Sequence, residues 1–286
     1  MNNKHKAGIW RTYRCELYRL FHKRSFWLAF ILLFLYAASQ YMYYALFVIQ
    51  GKIVEPFEAS AYFIGFYQMY SKYQPIYFKV FPLLLALPCI SAWYEDTIRN
   101  KTASLIMQKT SPLRYLLAKA MAYFTGNMVM VFLCYAGNLL ACALTFGQNY
   151  STVYGERYSE FYYLGLMSNK PMPFMGYYAT HTFAYLLIFS LVLAVFSGIC
   201  GVFAYACTLW LNRTFALVFV LLYGMFYFTT RYAKFIKGFD INYVLCVGNQ
   251  WGPGFGKIFI LLNAALLASS LLLILLRRAK GVKMIF

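Results

Sequence analysis

From Ser25 to Ile49 the chain runs 25 residues without a charged side chain. At about 1.5 Å of rise per residue, a helix of that length covers the ~30 Å hydrocarbon core of a bilayer. Further charge-free runs occupy 120–146, 178–211 and 258–276, and shorter ones lie at 215–229 and, apart from Lys79, at 76–93. Inside a bilayer each backbone polar group must be bonded by the protein itself, so runs of this kind fold as helices. Composition agrees. Only 12% of the residues are charged, against roughly 25% in a soluble domain. The expected fold class is an all-α integral membrane protein with six transmembrane helices, at 25–49, 76–93, 120–146, 178–211, 215–229 and 258–276, forming one domain over 25–286.

Residues 1–24 precede the first span and read as an amphipathic helix in the membrane interface. Basic residues from Lys4 to Arg24 alternate with Trp10, Tyr13, Leu17, Leu20 and Phe21 at helical spacing. Their charge suits anionic lipid headgroups. The apolar run that follows is too long for a cleaved signal peptide, so it reads as a permanent span. Pro82 and Pro88 predict a kink in the second span, because each removes a helical hydrogen bond. Lys79 can extend its ammonium to the surface. Ser111 followed by Pro112 predicts a helix start, a cap and then proline at the first helical position. Asn212, Arg213 and Thr214 make a very short turn between the fourth and fifth spans. The outer segments are 147–176, polar and rich in Tyr, and 230–256, amphipathic.

Basic residues choose the orientation. Six spans place both termini on one side, together with 94–119 and Arg213, and this side holds 17 of the 26 Lys and Arg. The richer side is expected to face the cytoplasm. The net charge of +18 is thereby explained without nucleic acid, since no basic stripe lies away from a membrane flank. The seven cysteines contain no CxxC pair, which leaves a metal site or a disulfide framework unsupported; they read as small apolar filler.

All eight acids (Glu16, Glu55, Glu58, Glu95, Asp96, Glu156, Glu160 and Asp240) fall outside these spans. Ion-coupled carriers need an ionisable group within the membrane, and His181, at the outer end of the fourth span, reads as an interfacial residue. No intramembrane metal or nucleophile motif occurs. Gly252-Pro-Gly-Phe-Gly-Lys257 departs from a phosphate loop in spacing and in the Ile258 that follows. The chain is therefore not expected to be an enzyme, and no cofactor is expected within it. Asn149-Tyr-Ser is a formal glycosylation acceptor without a role in a bacterial chain.

Residues 95–119 carry a pattern: Glu95 at the exit of the second span, Thr102, then Ser111-Pro112, Arg114 and Lys119 at the start of the third. This resembles the ABC-2 type permease family, the membrane subunits of G-type (type V) ABC exporters. Lys101 stands where that family carries Gly. The family's general layout extends over nearly the whole chain, but only 95–119 bears a motif. The resemblance implies a permease subunit in the cytoplasmic membrane of a bacterium. Two copies of a separate ABC ATPase would bind ATP and Mg, and a second permease, identical or related, would complete the dimer. The cargo would be an amphipathic peptide, a drug or a lipid-like molecule. It also implies that the segment after the second span is a cytoplasmic coupling helix, with Glu95, Asp96, Arg99, Asn100, Lys101 and Thr102 at the ATPase. Ile98, Thr102, Leu105 and Ile106 would then form its inward apolar face. A solvated cytoplasmic loop is the plainer alternative.

Tyr36, Gln40 and Tyr44 share one face of the first span, and Asn127, Cys134, Asn138 and Thr145 lie near one face of the third. These faces either line a substrate path at a dimer axis or hydrogen-bond between helices. Ala194 with Gly198, and Ser197 with Gly201, favour close helix packing. A non-transporting membrane protein, an immunity or sensor partner binding a ligand at its outer loops, would share the six spans without an ATPase.

Overall fold

The computed structural model describes residues 8–51, 62–65, 73–99, 102–146, 151–153, 156–158, 177, 181–211, 216–231, 245 and 255–279. The elements in chain order are α1 (Ile9–Phe21), α2 (Arg24–Ile49), α3 (Tyr73–Ala86), α4 (Ala92–Tyr94) continuing as a π-helical turn (Glu95–Arg99), α5 (Thr102–Lys109) and α6 (Pro112–Phe146). There follow a two-stranded antiparallel hairpin of β1 (Ser151–Val153) and β2 (Glu156–Tyr158), then α7 (Thr182–Thr208), α8 (Leu217–Arg231) and α9 (Phe255–Ala279). Among the described residues four helices are long and apolar enough to cross a membrane: Arg24–Phe47, Pro112–Phe146, Thr182–Thr208 and Gly256–Ala279. Apart from the short hairpin, the described elements are helical, and the long apolar helices fit a membrane-embedded protein. α3 and α8 are apolar but shorter, at 14 and 15 residues.

The centre is the pair α6 and α7. α2 and α1 pack on α6, while α3 and α9 pack on α7. Small residues allow the central approach. A Cβ added at Gly201 would sit 2.2 Å from Asn127 Nδ2, and one at Gly198 would sit 2.9 Å from the Phe124 carbonyl oxygen. The small-xxx-small positions of α7 are thus spent inside the chain. α7 is the most enclosed span, with 67% of its apolar window buried, whereas α9 has 17% buried and presents Ile260 and Leu261 outward. Leucine and isoleucine facing outward suit a lipid solvent as well as a protein one.

The expected kink in the second span is a break. Pro82 is contained within α3, but Pro88 has no N–H to give. The helix stops at Ala86, and Cys89 N–H bonds back only three residues, to Ala86 at 2.9 Å. The Leu85 carbonyl, freed by that change, accepts a 3.0 Å hydrogen bond from Asn127 Nδ2 of α6. The third span begins earlier than its apolar run. Ser111 caps it, its Oγ accepting the Arg114 N–H at 3.3 Å, and Pro112 is the first helical residue. At 35 residues α6 is about 52 Å long, so its first turns extend past the hydrocarbon core. α7 is shorter than the 178–211 expected, starting after His181 and ending at Thr208. Most of the outer segments 147–176 and 230–256 lies outside the described residues.

Candidate functional site

One end of the bundle concentrates charge. α1 runs along the first half of α6, with Thr12, Glu16 and Leu20 buried as an i, i+4, i+8 stripe. Leu20 seats against Gly126, where an added Cβ would lie 2.4 Å from its Cδ2. The Tyr13 hydroxyl meets Thr125 Oγ1 at 3.0 Å. Leu20, from the apolar face expected in lipid, therefore packs on α6 beside Thr12 and Glu16, while Trp10 stays outward. This brings Glu16, Arg19 and Lys23 to the place where α4 leaves the second apolar segment and α6 begins.

Asp96 is the hub. It is 1% exposed and accepts four hydrogen bonds. Oδ1 receives Arg19 Nη2 at 2.5 Å and Thr102 Oγ1 at 3.1 Å. Oδ2 receives the Tyr115 hydroxyl and the Lys119 ammonium. Arg19 also donates Nη1 to Glu16 Oε1 at 2.7 Å. Lys119, itself buried, donates to the Ala92 carbonyl at 3.1 Å. Beside this group, Lys23 pairs with Glu95 Oε2 at 2.8 Å, and Ser91 donates to Glu95 Oε1 at 2.5 Å. Three acids meet three bases, so the cluster is neutral as a whole. A cleft of about 320 Å³ opens among Arg19, Lys23, Glu95, Asp96, Lys119 and Tyr123.

Charge sets the protonation states. Burial favours a neutral Asp96, but the Lys119 and Arg19 charges outweigh it and hold the carboxyl well below the usual range. Burial likewise pushes Glu95 up, and its contacts with Lys23 and Ser91 bring it below its ordinary value. Burial, and then the neighbouring Lys119 charge, lower Lys23. Burial disfavours charge on Arg19 too, yet Asp96 and Glu16 raise its pKa. Asp96 and Glu95 stay ionised and Arg19 stays charged, so these two carboxylates are acceptors for fixed donors and not proton carriers.

The geometry sorts the site residues read from the sequence. Glu95, Asp96 and Thr102 come together, and both carboxylates are bonded within the chain. Arg99 ends the π-helical turn. Asn100 and Lys101 lie outside the described residues. Beyond them the expected inward face of α5 is rotated: Ala103 is buried and Ile106 packs on the core, but Leu105 is 60% exposed. Among the residues read as a substrate path, Gln40, Asn127, Cys134 and Asn138 are buried. Asn138 Nδ2 bonds the Ala37 carbonyl of α2 at 3.1 Å, and its Oδ1 accepts the Ile64 N–H at 2.9 Å. Tyr36 stacks on Tyr77 with ring centroids 4.9 Å apart, and Tyr44 meets Tyr62 at 5.1 Å. Thr145 Oγ1 bonds the Tyr41 hydroxyl at 2.6 Å. These polar groups join α2, α3 and α6 to one another and to the 62–65 segment. No group of three metal-ligating side chains occurs among the described residues.

Compared with protein-family profiles, curated proteins and solved structures, the chain matches none. Function therefore rests on the site. Sequence reasoning missed Glu16, Arg19, Lys23, Tyr115 and Lys119 as partners of the connector. One signal was present: Glu16 is the lone acid of α1 and lies on the same stripe as Thr12 and Leu20.

Proposed function

We propose that the protein is the permease subunit of an ATP-binding cassette exporter of the ABC-2 type, with ATP and Mg bound by a separate ATPase. The observation that carries this reading is the attachment of the 95–109 connector. Asp96 ties it at once to Arg19 on α1 and to Lys119 on α6. A push on the connector would move α1 and the start of α6 as one rigid unit. An element driven from outside needs that kind of joint. A loop in solvent does not.

In this reading Glu95 and Asp96 are the anchor, and Arg99, Asn100 and Lys101 meet the ATPase. Six crossings fit the positions of the helix ends. The α7 end and the α9 end lie beside each other through Trp210 Nε1 and the Leu273 carbonyl, at 3.2 Å. Arg277 lies over the Trp93 ring at 5.5 Å, next to the charged cluster. The ends of the second, fourth and sixth segments thus share one end of the bundle with α1. Positive charge there makes it the cytoplasmic end of a bacterial inner membrane. A second permease copy or a relative completes the dimer, and the cargo is an amphipathic peptide, a drug or a lipid-like molecule.

The test is whether a neighbouring gene encodes an ABC ATPase and whether that ATPase co-purifies with this chain. Arg99→Glu with Lys101→Glu is expected to abolish recovery of the ATPase, whereas the wild type retains it. Undiminished recovery, or no ATPase gene as neighbour, contradicts the reading.

A further inference from the structure

We propose that the outward face of α1 is a docking surface for the headgroups of anionic phospholipids. The face opposite the buried stripe carries Trp10 at 65% exposure, Tyr18 at 66% and the exposed Arg11 and Arg14. Arg24 and Trp27, the latter 49% exposed, continue it onto the first turn of α2. Its charge is of one sign. The one acid of α1, Glu16, points inward and is 4% exposed, so the outer arginines have no acidic neighbour on their own helix.

Two features select a lipid surface over an acidic protein. The first is distance from the membrane. α1 ends at Phe21, and α2, a span, begins at Arg24. That link is held tight: Lys23 N–H bonds the Leu20 carbonyl at 3.0 Å, and Trp27 Nε1 bonds the Phe21 carbonyl at 2.6 Å. α1 cannot leave the level of the headgroups while it stays packed on α6. The second is the pairing of tryptophan and tyrosine with arginine. Aromatic rings with a polar edge settle at the interface, and cations near them gain from the negative surface potential. Because Arg19, on the inner side of the same helix, holds Asp96, lipid bound outside would steady the connector inside.

The test uses the full chain reconstituted in vesicles. Of the six described cysteines only Cys15 is exposed, and it lies on this face; Cys246→Ser removes the seventh. A fluorophore on Cys15 is quenched in turn by phosphatidylglycerol and by phosphatidylcholine, each carrying a nitroxide near the headgroup and present at equal mole fraction. Phosphatidylglycerol is expected to quench more strongly. That preference should fall about fivefold for each of Arg11→Gln and Arg14→Gln and fade in high salt. Both arginines lie outside the ion cluster, and unchanged melting of the variants confirms that the fold is kept. Equal quenching by the two lipids overturns the proposal, as does a preference that both variants leave intact. A probe quenched only by aqueous iodide places the face in water, and a probe shielded from lipid and iodide alike places a protein on it. Either result also overturns the proposal. No ATPase is present, so failure here leaves the exporter reading untouched.

Discussion

The charged end and the middle of the bundle are held together by opposite means. At the end, six ionisable side chains from α1, the connector and α6 meet as three acids and three bases, with Asp96 taking four donors. In the middle, α6 and α7 meet over Gly198 and Gly201, and neutral amides bond the Leu85 carbonyl at the break after α3 and the Ala37 carbonyl of α2. The middle tolerates loss of one polar contact better, because a neutral group left alone costs less than a buried charge. The end does not, because Asp96 and Lys119 are buried as partners of one another. The charged joint thus stands or falls as a unit, as a transmitting element should.

Removing the hub should give the largest effect. Asp96→Ala leaves Lys119 buried without its partner and should lower stability by about 3–5 kcal/mol. Thermal melting in detergent reads this, and a loss under about 1 kcal/mol would erase the contrast between the two regions. Pairing Asp96→Ala with Lys119→Met should restore part of the loss, a coupling of about 1–3 kcal/mol.

Acid should act on the end alone. Asp96 and Glu95 have folded pKa values below their ordinary ones. Their stabilising contribution is complete above the unfolded carboxylate pKa, about 4, and is lost as pH falls from there through the folded values. Melting should therefore be insensitive to these groups near neutrality and decline in stronger acid. Asp96→Ala should flatten that decline.

In the middle, Gly201→Ala should cost about 1–3 kcal/mol, because its Cβ would displace Asn127 and press on the Tyr123 carbonyl oxygen 3.2 Å away. Asn127→Ala should cost the least, about 1 kcal/mol, by leaving the Leu85 carbonyl unbonded. A double-mutant cycle between these two positions and the Asp96–Lys119 pair should be additive, since among the described residues the two sites share no hydrogen bond.

The two regions also differed in how far the sequence revealed them. Long apolar runs gave the four long helices, and Ser111-Pro112 gave the start of α6 to the residue. Pro88 marked the break in the second segment, though its length hid that α3 would end at Ala86. The charged end was legible only as an inventory. Arg19 and Asp96 are 77 positions apart and Lys119 and Asp96 are 23 apart. A charge in a sequence reads as solvated until folding supplies its partner. In α5 the apolar neighbours Leu105 and Ile106 look alike in sequence, and folding turns only Ile106 to the core.

The claim at the centre is that charge joins the connector to α1 and α6. Hydrogen exchange in the wild type and in Asp96→Asn tests it most directly, because the substitution keeps shape and removes charge. Faster exchange confined to 9–21 and 102–109, with 182–208 unchanged, is the expected result. Equal protection of α1 and α5 in both proteins would contradict it.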